Sequence, residues 1–140
     1  MADAMPTQRA CDRFRVPGAV AGYRILSSRN PRKGFDEETC PVFDLSRGGL
    51  CFWTQEPLGI DQKIYLEITV PGEASPLGLY GAARWIRPNP GLAYKHQVGV
   101  QFNPYGDKKG QNSPVALIRL TALEESYAAR KASIPAPPKF

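Results

Sequence analysis

The sequence predicts a mostly β domain followed by a single C-terminal helix. Three observations carry that reading. Gly (13) and Pro (14) together supply 27 of 140 residues. That turn density suits short strands and argues against a helical bundle. Six short apolar or alternating runs lie between residues 16 and 102, the pattern of strands bounded by turns. After Ser113 the apolar period lengthens from two to that of a helix. With 42% hydrophobic and 22% charged residues, the chain can bury one core of ordinary size, and 140 residues leave no room for a second.

Each element follows in order. Residues 1–15 show no periodicity and read as a flexible basic arm. Residues 16–26 fit a first strand, and 27–39 a polar loop holding Pro31 and Gly34. Residues 41–45 and 50–54 are apolar runs on either side of Ser46-Arg47-Gly48-Gly49. They read as two antiparallel strands joined by a tight turn, with glycine expected to supply positive φ. In 64–70, Ile64, Leu66, Ile68 and Val70 alternate with Tyr65, Glu67 and Thr69, as in a half-buried strand. Residues 77–86 form a less regular strand. Val98, Val100 and Phe102 mark the last. Ser113 is a good N-cap and Pro114 suits the first helical position. A helix follows over 115–130, with Ala116, Leu120, Leu123 and Tyr127 on one stripe and Val115, Ile118 and Ala122 on a second. Pro135, Pro137 and Pro138 make 132–140 an extended, disordered tail. The expected organisation is thus an arm (1–15), a folded body (16–131) and a tail (132–140).

Several function classes lose their footing. The three cysteines, Cys11, Cys40 and Cys51, form no CxxC pair, and His96 is the one histidine. Neither a disulfide framework nor a zinc site is expected, and Cys40 and Cys51 read as small buried apolar groups. No GxSxG, HExxH or Walker-type loop occurs, so no catalytic constellation presents itself and an enzyme is not expected. No run of 18 apolar residues exists, so no membrane helix is expected. Residues 1–12 lack an apolar signal core, which points to a cytoplasmic protein with reduced thiols.

The net charge of +5 is unevenly placed. Residues 1–33 carry seven basic residues against two acidic ones. Residues 34–94 carry four against eight, and 95–140 seven against three. The N-terminal excess is rich in arginine, whose planar fork of donors fits phosphate and the O6/N7 edge of guanine.

Two short patterns stand out on this background: Arg9-Ala10-Cys11-Asp12-Arg13, an RxxxR, and Asp44-Leu45-Ser46-Arg47-Gly48-Gly49, a DxSxxG. RxxxR is weak alone, because arginine is abundant here. DxSxxG is stronger, being expected by chance on the order of a few hundredths per chain. Together with Phe14-Arg15-Val16-Pro17-Gly18 and the late strand Val98-Gly99-Val100-Gln101-Phe102, they make residues 9–103 resemble a PilZ domain, the bacterial receptor module for cyclic di-GMP. The resemblance implies a single six-stranded antiparallel β-barrel with a C-terminal helix. It also implies an arm that wraps over a ligand lying on the barrel surface.

The chemistry of these residues agrees. Arg9 and Arg13 can each pair with a phosphate or a guanine O6/N7 edge. Asp44 can accept from guanine N1–H and its exocyclic amine, a donor pair no other common base offers. Ser46 can donate or accept beside it. Gly49 keeps bulk away from the ligand, and Gly48 can share that role. Arg15 and Trp85 are candidates for further contacts, although Trp53 and Trp85 also fit plain barrel packing. The arm has a second register, Cys11/Arg15, which would break the motif. Gln8 precedes the motif where many family members have another arginine, which leaves open one ligand or a stacked pair.

The leading expectation is a non-enzymatic cyclic di-GMP receptor without a cofactor, signalling through an effector protein or as a homodimer. Two alternatives stay open. One is a degenerate PilZ adaptor that binds only protein. The other is a small basic barrel for single-stranded nucleic acid, disfavoured because the strand-bearing region is net acidic and poor in exposed aromatics.

Overall fold

Six strands form where the sequence alternates or runs apolar: β1 Val20–Ile25, β2 Glu37–Leu45, β3 Gly49–Thr54, β4 Lys63–Thr69, β5 Leu77–Pro88 and β6 His96–Phe102. A helix, α1 Pro114–Ser133, follows. The computed structural model describes residues 13–26, 34–90 and 93–133, with side chains to residue 127. The arm up to residue 12, with Arg9 and Cys11, and the tail from residue 134 lie outside the described residues. The strands close into an antiparallel barrel in the order β1-β2-β3-β6-β5-β4, with β4 returning to β1. Closure leaves the barrel with no unpaired sheet edge.

Alternation decides what fills the barrel. Ile64, Leu66 and Ile68 of β4 point inward, as do Leu50 and Phe52 of β3 and Val98, Val100 and Phe102 of β6. Tyr23 meets Phe52 edge to face inside, with ring centroids 5.8 Å apart. β2 begins at Glu37, earlier than the apolar run predicts, because its polar start is bonded at the barrel rim. The Glu37 carboxylate accepts from Tyr23 Oη (2.7 Å), Gln55 N (2.9 Å) and Glu56 N (3.1 Å), and Cys40 Sγ lies 3.6 Å away.

Two strands break their alternation. On β2 the register shifts between Val42 and Asp44. Val42 and Leu45 both pack on the core, so Phe43 and Asp44 between them both face out. On β5 the shift falls between Ala83 and Trp85. Ala83 and Ile86 are on the core side, so Arg84 and Trp85 both face out. Bulges of this kind re-aim side chains, and these two flank the same outer face, the one made by β2, β3, β6 and β5.

The chain enters the barrel sooner than expected. Phe14, placed in the flexible arm by its sequence context, is 2% exposed and exchanges both backbone hydrogen bonds with Leu45 (2.9 Å each). Val16-Pro17-Gly18-Ala19 then makes a turn closed by Ala19 N to Val16 O, with Gly18 at φ 85°. Proline followed by a positive-φ glycine is the type II arrangement. The turn at Ser46–Gly49 is a correction in the same respect. Among the described residues the positive-φ glycines are Gly18, Gly72 and Gly110, so neither Gly48 nor Gly49 supplies one.

The helix starts as its sequence predicts: the Ser113 hydroxyl accepts from Val115 N (3.0 Å). Asn112, 2% exposed, ties this start to the barrel by bonding both Tyr80 N (2.7 Å) and Tyr80 O (3.0 Å). Ala116, Leu120 and Leu123 join the core, while Val115 and Ile118 are exposed. Arg47, in the β2–β3 turn, forms an ion pair with Glu124 of α1 (3.0 Å). No helix among the described residues is long and apolar enough to cross a membrane.

Candidate functional site

The Phe14–Leu45 bridge fixes the base of the arm beside the end of β2, and this decides where Arg13 lies. Its guanidinium donates to Asp44 Oδ1 at 2.8 Å. The pair is partly open: the Arg13 side chain is 36% exposed and that of Asp44 15%. Two groups 31 residues apart in sequence thus meet on the outer face, and among the described residues no donor occupies the second Asp44 oxygen. At this exposure the ion pair itself adds about 1 kcal/mol or less to stability.

Arg15 points elsewhere. Its guanidinium stacks 4.0 Å from the centroid of Phe43, which meets Trp53 edge to face at 5.4 Å. Arg15, Pro17, Phe43 and Trp53 line a shallow groove of about 340 Å³. The β2 bulge therefore separates the two arginines: Arg13 goes to Asp44 and Arg15 to Phe43.

Ser46 and Gly49 shape the turn. Ser46 is 5% exposed. Its hydroxyl oxygen accepts from the backbone N–H groups of Gly48 and Gly49, at 3.1 Å each, and lies 3.3 Å from Gly49 O. This is the local side-chain capping to which serine is prone, and it holds Asp44 at the turn's start. Gly49 is needed for a close approach, since a Cβ there would sit 2.1 Å from Val100 O on β6. Gly48 contributes its carbonyl, which accepts from Phe102 N (2.8 Å).

Across the face from Asp44 the strands present Cys51, Gly99 and Trp85 in one cross-strand row. The indole of Trp85 lies over Gly99, where a Cβ would come within 2.2 Å of its Cε2 and Nε1. The Arg87 guanidinium stacks 4.8 Å from the Trp85 ring. Cys51, between Asp44 and Gly99 in that row, is 4% exposed. Its thiol is pushed up to about 11, first by burial and then by the Asp44 charge; Gln97, Arg13 and Arg87 pull it back.

The structure thus brings Arg13, Asp44, Ser46, Gly48 and Gly49 together, with Arg15 at one edge and Trp85 on the far side. Arg9 lies outside the described residues. Sequence reasoning passed over Phe43, Cys51 and Arg87 as site residues. The one signal available was the broken alternation at Phe43-Asp44 and Arg84-Trp85. Among the described residues no cluster of His, Cys, Asp and Glu could hold a metal ion.

Comparison with known proteins agrees with this fold. A structure of the Bacillus subtilis inhibitor of motility (MotI/DgrA) superposes with a TM-score of 0.60 at 14% identity. The match covers 89% of this chain and 51% of that one, so the present chain spans about half its length. No curated protein matches the chain. The family model of the PilZ domain matches residues 7–119, a span that includes RxxxR, DxSxxG and all six strands, and the chain belongs to the PilZ domain family.

Proposed function

We propose that this PilZ domain is a cytoplasmic cyclic di-GMP receptor that catalyses no reaction and needs no cofactor. The observation that carries the reading is the Arg13–Asp44 pair, 2.8 Å apart on an open face at the junction of the arm and the DxSxxG turn. Guanine offers complementary edges to both groups: N1–H and the exocyclic amine to a carboxylate, O6 and N7 to a guanidinium. Arg13, already fixed at the base of the arm, contacts a phosphate or the O6/N7 edge, and Arg9 follows it onto the ligand. Asp44 turns its open oxygen to the guanine donors. Ser46 and Gly49 act through the turn that aims Asp44. The Arg9/Arg13 register is favoured because Arg13 meets Asp44, whereas Arg15 is engaged on Phe43.

The output is a change of surface. The arginines of the arm repel one another, and a dianionic ligand removes that repulsion. The arm and ligand then form a surface that an effector protein or a second copy binds with differential affinity. Calorimetric titration with cyclic di-GMP, with GMP and an oligonucleotide as controls, tests the reading. Binding of cyclic di-GMP at micromolar or tighter affinity, about −8 kcal/mol or better, is the expected result. No heat well above micromolar protein would leave a protein-only adaptor, and preference for the oligonucleotide a nucleic-acid barrel.

A further inference from the structure

The far side of the candidate face carries an arginine with no bonding partner among the described residues. Two outward arginines flank the Trp85 bulge on β5. Arg84 is engaged: its Nε donates to Gln101 Oε1 (2.7 Å) and its terminal nitrogen pairs with Asp61. Arg87 is stacked on Trp85 and has no hydrogen-bond or ion-pair partner among the described residues. A stacked guanidinium is oriented by its ring while its five N–H donors stay free. Trp85 is in turn packed closely against Gly99, where no side chain intervenes.

The spacing relates this pair to Asp44. From Asp44 through Cys51 and Gly99 to Trp85 the row crosses three strand spacings, roughly 14 Å along the sheet. Cys51 lies between them in that row, and its thiol feels the Asp44 charge against the opposing charges of Arg13 and Arg87. Asp44 can take the donor edge of only one guanine, and a ligand with two guanines brings a second base to the same floor. Its O6 and N7 are both acceptors, the pair that the fork of arginine matches. Adenine keeps N7 but replaces O6 by an amine donor, which sets donor against donor.

We infer that Arg87, held on Trp85, reads the O6/N7 edge of the second guanine of the dinucleotide. This inference rests on the cyclic di-GMP reading and adds a specificity-determining residue outside both sequence motifs. The hybrid 3′,3′-cyclic GMP-AMP isolates it, because its one guanine can occupy Asp44 while its adenine faces Arg87. The wild-type protein should bind cyclic di-GMP at least tenfold more tightly than the hybrid in calorimetry. Arg87→Ala should weaken cyclic di-GMP about tenfold and bring the two affinities within about twofold of each other. Arg87→Lys, which keeps the charge and loses the fork, should also lose the discrimination. Arg84→Ala should leave the wild-type ratio in place. If Arg87→Ala keeps the wild-type ratio, or Arg87→Lys restores it, the inference is overturned while the receptor reading stands. If the wild-type protein binds neither dinucleotide, the receptor reading falls first and takes the inference with it.

Discussion

Gly49→Ala separates two meanings that a motif glycine can have. The new Cβ would stand 2.1 Å from Val100 O, 3.2 Å from Val100 C and 3.4 Å from Gln101 Cα. All three are backbone atoms, so no rotamer change relieves the overlap. An ordinary C···O approach is about 3.3 Å or more, so β6 must retreat by about 1 Å. That movement threatens the hydrogen bonds from Phe102 N to Gly48 O and from Ser46 N to Gly49 O, both 2.8 Å. Overpacking of this kind costs about 1–3 kcal/mol, and each weakened hydrogen bond about 1 kcal/mol. The sum is about 3–5 kcal/mol, a large share of a typical total of roughly 5–15 kcal/mol. Urea unfolding should show the midpoint falling with an unchanged slope, and Tm should drop by roughly 10–20 °C. A variant within about 0.5 kcal/mol of wild type that nonetheless fails to bind cyclic di-GMP would refute the packing argument. Gly49 would then be serving as clearance for the ligand.

Three further outcomes are expected. Asp44→Ala should leave Tm within about 4 °C, since it removes only a part-exposed ion pair. It should weaken cyclic di-GMP by about 2–3 kcal/mol and cyclic di-AMP far less; equal losses on the two ligands in calorimetry would mean that Asp44 only shapes the turn. Glu37→Ala should destabilise by about 3 kcal/mol in chemical denaturation, because Tyr23 and the Gln55 and Glu56 amides lose their acceptor, with Glu37→Gln in between; a change below about 0.5 kcal/mol would show the rim network to be replaceable by water. Stability should be greatest below pH 9 and fall towards pH 11. Burial raises Cys51 from 9.0 to about 11 and raises Tyr23 and Cys40 as well. The unfolded chain therefore loses these protons first, and stability declines as pH rises, Cys51 alone contributing on the order of 3 kcal/mol. A flat unfolding free energy from pH 8 to 11 would contradict this.

The sequence disclosed most where one physical signal dominated. Clean alternation in β4 and the Ser113-Pro114 start of α1 were legible because each rests on a strictly local rule. The apolar stripe holding Val115 and Ile118 was legible for the same reason, but its exposure was not. The start of β2 was not, because Glu37, Glu38 and Thr39 carry no apolar period and are held by bonds to residues distant in sequence. Phe14 was hidden among arginines, and only its pairing with Leu45 draws it into the core. The two bulges were the deepest omission. A bulge changes which way two neighbouring side chains point without changing composition. The broken alternation at Phe43-Asp44 and at Arg84-Trp85 was their visible trace. Asp44 and Arg13 were legible as motif residues, but Arg87 was not, since its setting is made by Trp85 on its own strand and Gly99 on the next.

The central claim is that the outer face between the two bulges receives the dinucleotide. Two-dimensional amide NMR of the ¹⁵N-labelled protein, titrated with cyclic di-GMP, tests it most directly. The account predicts saturable shifts at Arg13, Asp44 to Cys51, Arg87 and Gly99, together with a shift of the Trp85 indole N–H. Residues of β4 and the exposed stripe of α1 should move little. Saturable shifts confined to β1 and β4 or to the helix, with the Asp44 turn and the Trp85 indole unmoved, would contradict it.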